Sequence, residues 1–287
     1  MRIMRWIAVP VMVTLVAAVV TGCGSGNGST VVVGSANFAE SDLLMEIYAA
    51  ALREAGIEVQ TSPRLGTREI TNRALRDGSI TVMPEYSGNL LQSLDPDATV
   101  TAVDDVYAAV QRSLPPGLEV LEQSEAEDSD VLVVTQQTSS TLGLTSMDQL
   151  APHCGQLTLG AAGEWPGRWE DKIAQVYGCT FRQILSTDPA GPVTLEALRS
   201  GQAQVVNLFT TSPDIAANGW VELADPKDMY PAQRILPLVR AGALSQAGVD
   251  ALNRVSAALT TENLTELNRR ITQERAVPAD LAKEFVS

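Results

Sequence analysis

Between Val31 and Met83 the chain alternates short β-branched runs with stretches of helical spacing, and this alternation limits the possible folds more than any other feature. Val31-Val32-Val33-Gly34 reads as a strand. From Ser41, a candidate N-cap, the apolar residues Leu43, Leu44, Ile47, Tyr48, Ala51, Leu52 and Ala55 keep the helical period. Gly56 follows as a helix-ending residue. Ile57-Glu58-Val59-Gln60 reads as a second strand. Gly66-Thr67 opens a second helix through Ile70, Ala74 and Leu75 that stops at Asp77-Gly78, and Ile80-Thr81-Val82-Met83 reads as a third strand. Strand, helix, strand, helix, strand in this order predicts an α/β fold with a parallel, doubly wound sheet and helices on both faces. A helix over 103–114 and a strand over 118–123 continue the unit.

The pattern then restarts. After an acidic run from Glu122 to Asp130 come strands over 130–135, 156–162 and 203–209, with helices over 168–178 and 194–201 between them. A strand over 234–240 is placed to return to the first lobe, and three helical segments close the chain. The expected organisation is two α/β lobes joined by a two-stranded hinge, with chain crossings near 131–135 and 235–240. Residues 31–130 plus 240–287 form lobe one and 131–239 lobe two. Two such lobes enclose a cleft, and α/β sheets bind ligands at the carboxyl ends of their strands. In "PEYSGN", Tyr86 sits at such an end, and Phe209 sits at the end of "VVNLF". Both rings are therefore predicted to face the cleft, core packing being the competing reading of each.

The first residues bear on location. Arg2 and Arg5 precede an apolar run from Ile7 to Val20 that suits a signal-peptide core and is short for a membrane span. It ends in Val20-Thr21-Gly22-Cys23, a lipobox pattern with Cys23 as the lipidated residue. Residues 1–22 are thus expected to be a lipoprotein signal peptide and 23–30 a flexible tether. Export leaves Cys154 and Cys179, which form either one disulfide or two buried thiols. Without the signal segment 18 basic residues face 34 acidic ones, a net of −16. Such a charge argues against nucleic acid and against an electrostatic grip on anionic lipid. One histidine, His153, removes most catalytic triads and zinc sites, and no nucleophile elbow, zinc-protease or P-loop motif occurs. Neither an enzyme nor a cofactor is expected.

Several segments, in order, resemble a known family. "VGSANFAES", "RLGTREITNRALRDGSITVMPEYSG", "GEWPGRWEDKIAQVYG", "NLFTTSPDI" and "ELADPKDMYPAQRILPLV" are similar to the corresponding stretches of the glycine betaine, choline and carnitine binding proteins of ABC importers. The similarity runs from Val31 to about Arg240. It implies a type II periplasmic-binding-protein fold that holds a trimethylammonium group in a box of aromatic faces. Ring quadrupoles stabilise such a cation by about 0.5–2 kcal/mol per ring without hydrogen bonds.

Position by position, the resemblance makes Tyr86 and Phe209 box rings and Arg168 a carboxylate grip. Ala36 stands where the family often has lysine, and Asp130 and Gln233 stand where it has two further box rings. Asn37, Phe38, Thr67, Asn89, Trp165 and Trp169 complete the candidate set, with Phe38 and the two tryptophans as rings able to refill the box. The implied role is an extracytoplasmic, lipid-anchored protein, expected to be a monomer, that delivers a small compatible solute to a membrane permease and its ATPase. The loss of two box rings opens an alternative ligand that is neutral and hydroxyl-rich, or aromatic and polyphenol-like. A structural lipoprotein without a transport role is the remote alternative.

Overall fold

The computed structural model describes residues 30–287. The segment expected to be a signal peptide, Cys23 and nearly all of the expected tether lie outside these residues. Ten strands are present among the described residues, in two five-stranded sheets. β1 (Val31–Gly34), β2 (Val59–Ser62), β3 (Val82–Tyr86) and β4 (Leu118–Val120) open the first sheet. β5 (Asp130–Val134), β6 (Thr158–Ala162), β7 (Gln183–Thr187), β8 (Val205–Phe209) and β9 (Val221–Leu223) make up the second, and β10 (Ile235–Arg240) returns to the first. The orders are β2-β1-β3-β10-β4 and β7-β6-β8-β5-β9. This is the two-lobed α/β architecture expected from the alternating pattern, and it matches the periplasmic-binding-protein fold that the resemblance implies.

The two sheets share one plan. Each has a parallel trio, β2-β1-β3 or β7-β6-β8, flanked by one inserted antiparallel strand and one short edge strand. The inserted strands, β10 and β5, are the ones that follow the chain crossings. The crossings themselves run antiparallel just before these strands, joined by a bridge between Glu127 and Arg234 and by the Asp128 amide donating to the Gln233 carbonyl. They therefore precede the positions expected from the sequence. β10 belongs wholly to the first sheet, so the expected boundary at 239 falls inside a strand.

Period-two alternation divides each sheet between two cores. Val82, Ile235 and Val239 pack with the helix Ala39–Glu54, while Met83, Leu236 and Leu238 pack on the opposite face. Leu132, Val134 and Val205 point to one side of the second sheet, and Val131, Val133 and Val206 to the other. Apolar residues on both faces are what a sheet covered by helices on both sides demands.

Three local readings change. The first helix starts at Ala39 with Phe38 at its cap position, and the Ser41 hydroxyl accepts from the Ala36 amide instead. The third strand spans Val82–Tyr86, so Tyr86 ends the strand instead of following it. A proline inside a central strand is unusual because it cannot donate to the ladder. Here Pro84 faces Pro237 across the β3–β10 pair. Arg240 and Ser87 donate to the Thr81 and Arg234 carbonyls, which makes 81/240 and 87/234 hydrogen-bonded pairs. Two-residue alternation leaves 84/237 a non-bonded pair where no donor is required. Finally, β7, β9 and the helix Gln136–Leu142 are additions to the expected elements.

Candidate functional site

Tyr86 and Phe209 are equivalent residues. Each is the last residue of the third parallel strand of its sheet, β3 or β8. The register sets Ile235 opposite Tyr86 and Asp130 opposite Phe209. The carboxyl ends of the parallel strands and the amino ends of the inserted strands thus converge between the lobes. A cavity of about 400 Å³ lies there, and Phe38, Tyr86, Asn89, Arg68, Arg168 and Phe209 are among its lining residues.

The rings form a row, with Phe38 6.0 Å from Tyr86 and 6.1 Å from Phe209 between centroids. Phe38 belongs to the first lobe and Phe209 to the second, so the row crosses the cleft. The Tyr86 hydroxyl donates to Glu40 Oε1 at 2.7 Å. Burial, and after it the Glu40 charge, push the Tyr86 phenol well above its ordinary range.

Two guanidinium groups reach the same cavity. Arg68 forms a bidentate pair with Glu85, with contacts of 3.0 and 2.9 Å. Arg168 comes from the second lobe, lies over the Trp169 ring at 5.0 Å, and approaches Asp130 at 3.5 Å. Burial holds its pKa below the ordinary arginine value. It also donates across the cleft to Asn89 Oδ1. The Asn89 Oδ1 accepts from Gln233 Nε2 as well, while Gln233 Oε1 accepts from the Asn89 backbone N–H. On the other side, Trp165 Nε1 donates to Asn207 and Asn207 donates to Asp130.

The structure therefore places Asn37, Phe38, Thr67, Tyr86, Asn89, Arg168 and Phe209 around one cavity. Asp130 and Gln233 are buried immediately behind it, each engaged with neighbouring polar side chains. Trp165 and Trp169 belong to the second lobe's core, where Trp169 packs edge-on against Tyr230. Their rings are supports for Asn207 and Arg168 and line no part of the cavity. The sequence reading had not singled out Glu40, Arg68, Glu85, Asp128 and Glu164. Glu85 stands beside Tyr86 in "PEYSG" and carried a usable signal. Asp128, hidden in an acidic run with the look of solvated surface, did not.

A larger cavity of about 780 Å³ opens on the far side of Phe38 and Phe209, lined by residues including Arg64, Asp188, Arg199 and Asn268. Cys154 and Cys179 are joined by a disulfide that spans 25 positions and encloses the segment carrying Arg168.

The sequence model of OpuAC, the substrate binding domain of ABC-type glycine betaine transport systems, matches residues 29–287. The glycine betaine-binding protein YehZ of Escherichia coli is 27% identical over 276 residues, covering 89% of this chain and 90% of YehZ. The structure of apo YehZ from E. coli superposes with a TM-score of 0.66 at 25% identity, over 90% of this chain and 98% of that one. A glycine betaine/carnitine/choline ABC transporter structure gives 0.73 at 21% identity, over 89% and 97%. The family match takes in every described residue, and the shared architecture includes both sheets that meet at the cleft. The chain belongs to the OpuAC family, the substrate-binding domains of ABC-type glycine betaine transport systems.

Proposed function

We propose that this protein captures a small solute of the glycine betaine, choline or carnitine type in the 400 Å³ cleft and presents it to a membrane permease. The row of Phe38, Tyr86 and Phe209 at the converging strand ends carries this reading. These faces suit a methylated cation, which is apolar outside yet charged. Arg168, and behind it the Arg68–Glu85 pair, supply the charged side of the cleft for a carboxylate. The first lobe takes in residues 31 to about 128 and about 235 to 287, the second the residues between. In this reading the body works outside the cytoplasmic membrane as a monomer, held by lipid on Cys23. Among the described residues no helix is long and apolar enough to cross a membrane.

A second ligand class, neutral and hydroxyl-rich, is favoured by one observation. The residues that would close an aromatic box, Asp130 and Gln233, are polar. Against it, both ends of the Gln233 amide are already engaged with Asn89.

Calorimetry on the mature protein separates the two. Glycine betaine or choline binding that Tyr86→Ala weakens at least tenfold (about 1.4 kcal/mol) supports the first. Binding of a hydroxyl-rich neutral compound, with none of glycine betaine or choline, supports the second.

A further inference from the structure

Beneath the ring row lies a group that the capture of a solute does not itself require. Thr211 Oγ1, from the second lobe, is 2.6 Å from Glu40 Oε2 and 2.8 Å from Asp128 Oδ1. All three side chains are buried. Glu40 lies on the first helix of the first lobe and Asp128 on a crossing segment, so the contact joins the lobes where they shut.

A threonine hydroxyl carries one proton and can donate to one acceptor. It faces two carboxyl groups here, and Asn268 Nδ2 also donates toward it at 3.2 Å. If both acids were ionised, one close oxygen–oxygen contact would have no hydrogen in it. We propose that Glu40 and Asp128 hold one proton between them when the lobes are closed, so that solute capture takes up a proton.

The donor pattern places that proton. Glu40 receives the Tyr86 hydroxyl, the Thr211 hydroxyl and the Asn268 amide. Asp128 receives the Thr211 backbone amide at 3.0 Å. An acid proton on Asp128 completes the set, directed at Thr211 Oγ1 or at Glu40. Burial first, and then the neighbouring Glu40, raise the Asp128 carboxyl well above the ordinary carboxylate range.

The surrounding charges offer no substitute. Tyr86 faces the pair from β3, with Glu85 behind it, and Arg68 is engaged with Glu85. Arg64, at the edge of the larger cavity, pairs with Asp42. Among the described residues no lysine or arginine forms an ion pair with Glu40 or Asp128.

In open lobes the two acids meet water, and Asp128 returns toward an ordinary value of about 4. The closed form then binds one more proton than the open form. A raised carboxyl favours the closed form at low pH, and that advantage is lost as pH rises through the raised value. Affinity for solute should weaken by about tenfold per pH unit in the window between the two values.

The inference rests on the solute-binding reading above, and its test separates the two. Glycine betaine binding is measured by calorimetry across neutral pH in buffers of different ionisation enthalpy. Expected are uptake of about one proton and binding that weakens as pH rises, with both effects abolished in Asp128→Asn. Binding with neither proton uptake nor pH dependence overturns the proposal. Absence of glycine betaine binding instead counts against the ligand reading. In that case infrared titration of the protein with its lobes held shut by a cross-link between the helices Pro213–Ala217 and Thr261–Glu274 decides: a carboxyl protonating well above the ordinary value of about 4, missing from both Glu40→Gln and Asp128→Asn, supports the pair. Its absence from the cross-linked protein that carries neither change overturns the pair.

Discussion

Gly88 shows how tightly single residues hold the cleft. It is the second residue of the helix Ser87–Leu94, two positions after Tyr86. A Cβ on it would lie 2.7 Å from the Ala232 carbonyl oxygen and 3.0 Å from Gln233 Nε2. The crossing segment can pass so close only because no side chain intervenes. Behind it Gln233 fixes Asn89, and Asn89 receives Arg168 from the other lobe. Gly88→Ala should therefore cost about 1–3 kcal/mol of stability, typical of forced overpacking, and should weaken solute binding by disturbing Asn89. Chemical denaturation measures the first and calorimetry the second. An alanine variant as stable as the original would show that the crossing segment yields freely.

At the scale of elements, the inserted antiparallel strands explain how the site is made. β10 brings Gln233 beside the end of β3, and β5 brings Asp130 beside the end of β8. One wall of the second lobe receives covalent support, because the Cys154–Cys179 disulfide closes the segment containing β6 and Arg168. Constraining a loop of 25 positions restricts the unfolded chain and contributes roughly 3 kcal/mol in the chain-entropy picture. The double variant Cys154→Ser, Cys179→Ser is expected to lose about that much stability by denaturant unfolding. Mass spectrometry of the unreduced protein should find neither thiol accessible to alkylation.

Across the described residues, the lobes meet at Phe38 against Phe209, at Arg168 on Asn89 and at Thr211 on Glu40. The helix Pro213–Ala217 of the second lobe also packs on Thr261–Glu274 of the first. Closure is thus distributed around the ring row and does not depend on a single latch. The surface of such a body, at a net charge of −16 over residues 23–287, repels anionic lipid. Retention at the membrane then depends on the lipid proposed for Cys23. Cys23→Ala should shift the protein from the membrane pellet to the soluble fraction, and persistence in the pellet would refute the anchor.

The two-lobed fold was legible in the chain because strand and helix periods are local. Val31–Gly34, the helix through Leu52 and the run Val205–Phe209 each declare their period within a few residues. Tyr86 and Phe209 were legible as cleft rings for the same reason: a strand's end can be read from the strand. Strand pairing cannot be read this way, since β10 and β5 take their places through contacts with residues more than a hundred or some seventy positions away. Those contacts turned Gln233 inward to Asn89 and Trp165 and Trp169 into the core. They also turned Asp128, outwardly one more acid in an acidic run, into a buried partner of Glu40. Burial and partner choice arise from the packing of distant segments, and only the folded chain decides them.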